Sequence, residues 1–194
     1  MSFKSIIYGF LLASSTAALA APSSDFTAWR LSADQLSFNA EKTASAGVDD
    51  STLGLGMAID IKRDYLVGGF GMYIGSLDDS NGFSQTVRDQ YGNISEADSS
   101  VSALSFFAEI GGSYLLLNNV YGELVTGYQT MSVDRSISDC DDCESQDIPL
   151  DGGLYVKPRI KVGIGKKYIL SASYMSYLSG DITNGLAIGF EGRF

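Results

Sequence analysis

Two groups of residues in this sequence have types and spacing that could do chemistry. Cys140 and Cys143 bracket two aspartates in Cys140-Asp141-Asp142-Cys143, and basic residues alternate with apolar ones in Lys157-Pro158-Arg159-Ile160-Lys161. A C-x-x-C pair can exchange disulfides, supply half of a zinc site, or close as a structural disulfide. Zinc needs four ligands, and with 2 Cys and 0 His no such set is completed. Redox exchange needs a stabilised thiolate, which Asp139, Asp141, Asp142 and Glu144 oppose with their own charge. In an oxidising compartment the pair is expected to form a disulfide between Cys140 and Cys143. The acidic run 139–147 lacks the spacing and glycine of an EF-hand loop, so no metal site is assigned. Without histidine there is no Ser-His-Asp or Cys-His nucleophile. No motif points to a Ser-Lys or carboxylate-dyad alternative, so the expectation is no enzyme and no cofactor.

Charges at every second position need a support with a two-residue repeat, and that support is a β-strand. Over 154–164 the opposite face carries Leu154, Val156, Pro158, Ile160, Val162 and Ile164. The same alternation sets Leu53, Leu55, Met57, Ile59 and Ile61 against Gly54, Gly56, Ala58 and Asp60. It sets Leu104, Phe106, Ala108, Ile110 and Tyr114 against Ser105, Glu109, Gly111 and Ser113, and puts Glu123 with Gly127 and Gln129. Strands are predicted over 27–40, 53–62, 65–77, 101–116, 120–133, 154–164, 168–178 and 185–194, which makes eight. In the first of them the alternation changes parity near Gln35. Pro158 breaks the strand rules because it cannot donate to a ladder, so a bulge or a missing hydrogen bond is predicted there, with the ring on the apolar side.

The connections alternate between short (62–64, 118–119, 166–167) and longer (40–52, 78–100, 134–153, 179–184). The longer ones hold most of the acids, with Lys42, Arg88 and Arg135 as their few bases. A net charge of -10 excludes nucleic acid as a partner. Before the strands come Lys4, an apolar stretch over 6–13 and Ala18-Leu19-Ala20, the layout of a secretory signal peptide. Eight apolar residues fall short of the ~20 that a membrane-spanning helix needs. The predicted organisation is a signal peptide at 1–20 and one β-barrel domain at 21–194.

The polar faces hold charges of both signs: Asp60, Glu109, Glu123 and Glu191 against Lys157, Arg159, Lys161 and Arg193. An eight-stranded barrel has an interior just wide enough for side chains, so these eight are expected to pair inside it. Directed outward into lipid, each Lys or Arg at the midplane would cost ~2–4 kcal/mol. The apolar faces are therefore expected to meet lipid. On the last strand Leu186, Ile188, Phe190 and Phe194 share one face, and the aromatic is the final residue.

That ending, with the signal peptide and the eight-strand layout, resembles the small bacterial outer-membrane β-barrels of the OmpA/OmpX and opacity type. The resemblance implies an all-β fold, an eight-stranded antiparallel up-and-down transmembrane β-barrel preceded by a signal peptide. It implies residence in the outer membrane of a Gram-negative bacterium, with short turns periplasmic and acidic loops extracellular. Leu186, Ile188, Phe190 and Phe194 would be the signal read by the barrel assembly machinery. Outer-membrane lipid, lipopolysaccharide and an extracellular ligand of the loops are the other partners implied, and a monomer is expected. The function expected is non-enzymatic, in envelope integrity or surface interaction. A narrow OmpW-like channel for ions or small apolar solutes is the alternative.

Overall fold

The structure, a computed structural model, describes residues 25–78, 86–88, 94–96, 99–137 and 146–194. The segment expected to be a signal peptide, 1–20, lies outside the described residues, as do Cys140 and Cys143. In chain order the elements are β1 (Phe26–Phe38), α1 (Ala40–Ala46), β2 (Ser51–Arg63), β3 (Leu66–Leu77), β4 (Thr86–Arg88), β5 (Ile94–Glu96), β6 (Ser99–Leu117), β7 (Val120–Ile137), β8 (Gln146–Ile148), β9 (Leu154–Ile164), β10 (Tyr168–Tyr177) and β11 (Ile182–Arg193).

Eight strands pair antiparallel in the order β6-β3-β2-β1-β11-β10-β9-β7, and β6 pairs with β7 to close the ring. Each strand lies beside its sequence neighbour among these eight, and β1 meets β11 from Ala28↔Arg193 to Phe38↔Ile182. A closed ring leaves no edge in the wall, so backbone donors and acceptors find partners within the sheet. At one end the connections are tight, with Asp64 (φ 52), Asn119 (φ 68) and Gly165 (φ 64) in the left-handed region that such turns need. At the other end the long connections carry α1, the β4–β5 hairpin and β8.

The apolar faces point outward. Leu53, Leu55, Phe70, Ile110, Ile160 and Ile188 are all exposed. Nine residues of β2, from Leu53 to Ile61, rise ~3.3 Å each and lie in a wall tilted by ~40°, giving an apolar belt ~20 Å tall. Aromatic rings border it near the turns: Tyr65 packs 6.0 Å from Tyr114, and Phe190 lies 5.7 Å from Trp29 and 5.3 Å from Tyr168. An outward belt of this kind, rimmed by aromatics, is the surface a bilayer covers.

The inner face of β1 corrects one expectation. Its inward set keeps one parity through Phe26, Ala28, Arg30, Ser32, Asp34, Leu36 and Phe38, all buried except the half-buried Ser32. The parity change expected near Gln35 is absent. What changes is the chemistry of the lumen, which is charged around Arg30 and apolar around Leu36, so hydrophobicity swaps faces while the backbone does not.

At Pro158 the register with β7 is continuous, Leu124 opposite Pro158. On the β10 side the ladder goes from Ser173↔Arg159 directly to Ser176↔Val156. The pairing is interrupted without a bulge, because the register is the same on both sides of the gap, and Pro158 faces outward.

Candidate functional site in the lumen and its loop-end cap

The pleat of β9 sends Lys157, Arg159 and Lys161 inward, where all three are buried. Arg159 donates from Nη1 to Glu123 at 3.1 Å and from Nη2 to Glu109, and stands 3.6 Å from Asp60. Lys161 gathers three carboxylates, Glu191 at 3.0 Å, Glu123 at 3.3 Å and Asp60 at 3.4 Å. Lys157 pairs with Glu109, and its ammonium lies 5.4 Å from the ring centres of both Phe107 and Tyr155. Tyr155 completes the surroundings of Glu109 by donating to it at 3.1 Å. Room for these groups comes from bare backbone: a β-carbon on Gly69 would stand 2.6 Å from Asp60 Oδ1.

Seven of the eight charges expected in one lumen cluster meet in this way. Arg193 does not join them. It sits one pleat nearer the turns, opposite Ala28, with its guanidinium 4.5 Å over the ring of Phe26. The fourth base is Arg30, 3.3 Å from Glu109 and 3.5 Å from Asp60. Four carboxylates thus face four bases. In a low-dielectric interior this mutual pairing offsets the cost of removing each charge from water.

Above this layer the lumen turns apolar. Leu36, Phe38, Tyr73, Leu77, Val101, Val133, Ile148, Leu150, Met175 and Ile182 form one buried cluster under the long connections. α1 closes over it with Thr43 and, just past its end, Val48 buried. The helix is short, so its ends matter. Asn39 accepts from the amides of Glu41 and Lys42, and Gly47 takes the left-handed cap position with φ 67. Arg135 lies on the inner face of β7, not in a loop as expected, and it is buried. It donates to the carbonyls of Ala46 at 2.8 Å and Gly47 at 3.1 Å, and to Gln146 Oε1 at 2.9 Å. The connections are also tied by main-chain bonds, Asn39 N to Asp181 O, Asp49 N to Asp78 O and Asp181 N to Asp151 O.

On the last strand Leu186, Ile188, Phe190 and Phe194 all face outward and are exposed, with the amide of Phe194 donating to Thr27 O at 3.0 Å.

No protein-family model matches the chain, and no curated protein does. Solved structures do. Ail, the attachment invasion locus protein of Yersinia pestis, aligns over 88% of this chain and 97% of its own at 13% identity, with a TM-score of 0.51. Neisserial surface protein A aligns over 87% of this chain and 97% of its own at 12% identity, with a TM-score of 0.54. The fold is that of a small eight-stranded outer-membrane β-barrel. Ail has also been solved with the heparin analogue sucrose octasulfate, and that structure aligns at 10% identity over 87% of this chain and 96% of its own, with a TM-score of 0.52.

Chemically, the lumen of this barrel is an ion-pair plug beneath an apolar stopper. Two signals for the missed residues were present in the sequence. Arg30 lies two positions from Ala28 and four from Asp34, on the period of the strand, and Asn39 and Gly47 are capping residues at helical spacing.

Proposed function

We propose that this barrel is a non-enzymatic protein of the outer membrane of a Gram-negative bacterium, acting through its loop end in surface contact or envelope integrity. The observation that carries this reading is the filled lumen. A charge plug centred on Arg159 and Glu109, under an apolar layer closed by α1, leaves the loops as the part that can meet a partner. In this orientation the loops are extracellular, the turns are periplasmic, and the final strand carries the signal for barrel assembly. Lipid meets the apolar belt, and lipopolysaccharide lies against its loop-end rim, with divalent cations bridging its phosphates to the acidic loops.

Ail was solved with a polyanion, but the loop end here carries Glu41, Asp49, Asp50, Asp78, Asp147, Asp151 and Asp181. Like charge repels a sulfated polysaccharide, so the reading is contact with a neutral or cationic surface. Purified barrel in planar bilayers tests the first part: discrete, reproducible channel openings would reject it in favour of the narrow-channel alternative. Cells displaying the barrel should adhere to cationic surfaces more than cells without it, and heparin beads should not retain it.

A further inference from the structure

Asp34 is a fifth buried acid of the lumen, and it belongs to none of the ion pairs described above. It is 92% buried, with a relative exposure of 8%. Ser32 Oγ donates to its Oδ2 at 3.1 Å, and Oδ1 has no partner among the described residues. A buried acceptor left in this state costs free energy, and in proteins such an atom is normally satisfied by protein or by ordered water.

The surroundings point to the second. Asp34 lines a cavity of about 30 Å³ together with Ser32, Ser171, Ser173, Arg30 and Lys157. One water molecule needs roughly 10–15 Å³ of such space, so about two fit. The cavity lining mixes apolar side chains with donors and acceptors, enough to give a water its two to four polar partners, whereas wholly apolar cavities stay dry. The space is kept open by bare backbone. A β-carbon on Gly56 would lie 2.4 Å from Asp34 Oδ2, and one on Gly189 would lie 2.6 Å from Ser171 Oγ. A metal cation is a poorer occupant, because Arg30 and Lys157 already bring positive charge to the same wall.

We propose that this cavity is a water-binding site in which ordered water bridges Asp34 to Lys157 and Arg30, making Asp34 a member of the charge network without direct contact. Arg30, held by Glu109, lines the site together with the buried side chains of Leu36, Tyr73 and Met175. Water held there exchanges slowly with bulk.

The test is solution NMR of the full barrel in nanodiscs. Water-to-amide cross-peaks of long residence are expected at Asp34, Gly56 and Ser173, and they should vanish in Asp34→Leu, which removes the acceptor and fills the space. Should Asp34→Leu fail to fold, Ser173→Val blocks the cavity from the opposite wall and should have the same effect. A methyl label on Met175 gives a second readout, because xenon enters dry cavities: the wild-type methyl should be unmoved under xenon. Absent cross-peaks, cross-peaks unchanged by the variants, or a xenon shift at Met175 in the wild type would overturn the proposal.

Discussion

Arg30 on β1 and Glu109 on β6 are 79 residues apart in sequence and 3.3 Å apart in the lumen. Neither strand pairs with the other: β1 lies between β2 and β11, while β6 lies between β3 and β7. The contact crosses the interior and exists only when the wall has curled far enough to bring both inner faces together. The charge layer is therefore a consequence of closure, and it favours the closed ring over any open sheet built from the same strands.

This layer should be sensitive to loss of a single member. Arg159 meets three carboxylates at full burial, so Arg159→Ala leaves them facing one another with less compensation and should cost ~3–5 kcal/mol. Arg193 takes no part in the ion pairs of the charge layer, and its stacking on the buried ring of Phe26 is worth ~0.5–2 kcal/mol. Urea unfolding in detergent should show the first variant well below the second. Equal midpoints for the two would contradict the pairing described here.

Much of this was legible because strand period and membrane chemistry act together. Lys157, Arg159 and Lys161 alternate with residues that only lipid would tolerate, so their inward direction follows from the sequence. Arg30 was not legible in the same way, because its strand runs from a charged lumen into an apolar one at Leu36. Arg135 was hidden for a related reason. β7 continues past Tyr128, its last residue paired with β9 (opposite Leu154), into a region where the outer face meets water. Ser132, Asp134 and Ser136 therefore replace the lipid-facing residues and the segment reads as loop, although Val133 and Arg135 still point inward. α1 buries a single residue of its seven, Thr43, too little to give a helical period.

Pro158 interrupts only the β10 side of its strand. Replacing it by valine restores an amide and a side chain suited to a pleated wall. Pro158→Val is expected to gain about 1 kcal/mol, the net worth of one hydrogen bond. A raised urea midpoint and a slowly exchanging amide at position 158 would be the signs. A lowered midpoint would mean that the proline stiffens the wall more than its missing donor weakens it.

Asp134 and Asp147 stand directly opposite each other on β7 and β8, beyond the apolar belt. The hydrogen bond with Asp147 holds the pKa of Asp134 above the ordinary carboxylate value, with burial and the neighbouring charge adding to it. A carboxyl raised in the folded state favours folding below its unfolded pKa and loses that contribution as pH rises through the folded one. The β7–β8 pairing should therefore tighten in acid and loosen toward neutrality. Amide exchange at Gln146 and Ile148, corrected for intrinsic rate, should slow as pH falls through the carboxylate range. Asp147→Asn should flatten that dependence, and an unchanged pH profile in the variant would refute the assignment.

Among the described residues Arg135 is the side chain seen to tie α1 to both β7 and β8, and its replacement should separate the cap from the barrel. A seven-residue helix is too short to persist alone in water. Its last carbonyls have no partners inside the helix, and a cation placed there satisfies them and opposes the negative end of the helix dipole. Arg135 does both through Ala46 and Gly47, while its other terminal nitrogen holds Gln146. The eight-stranded wall, in contrast, is held by its own ladders and does not depend on this residue. Arg135→Ala should thus raise amide exchange at 43–48 by at least ~10-fold, the effect of losing about 1.4 kcal/mol of local stability, with little change in the gel-mobility shift that marks a folded barrel. Arg135→Lys keeps the charge but loses the planar fork that reaches two loops at once, so it should recover only part of the protection. If exchange over 43–48 is unaffected in Arg135→Ala, burial of Thr43 and Val48 and the main-chain bonds of the connections hold the cap, and the guanidinium is not what fastens it.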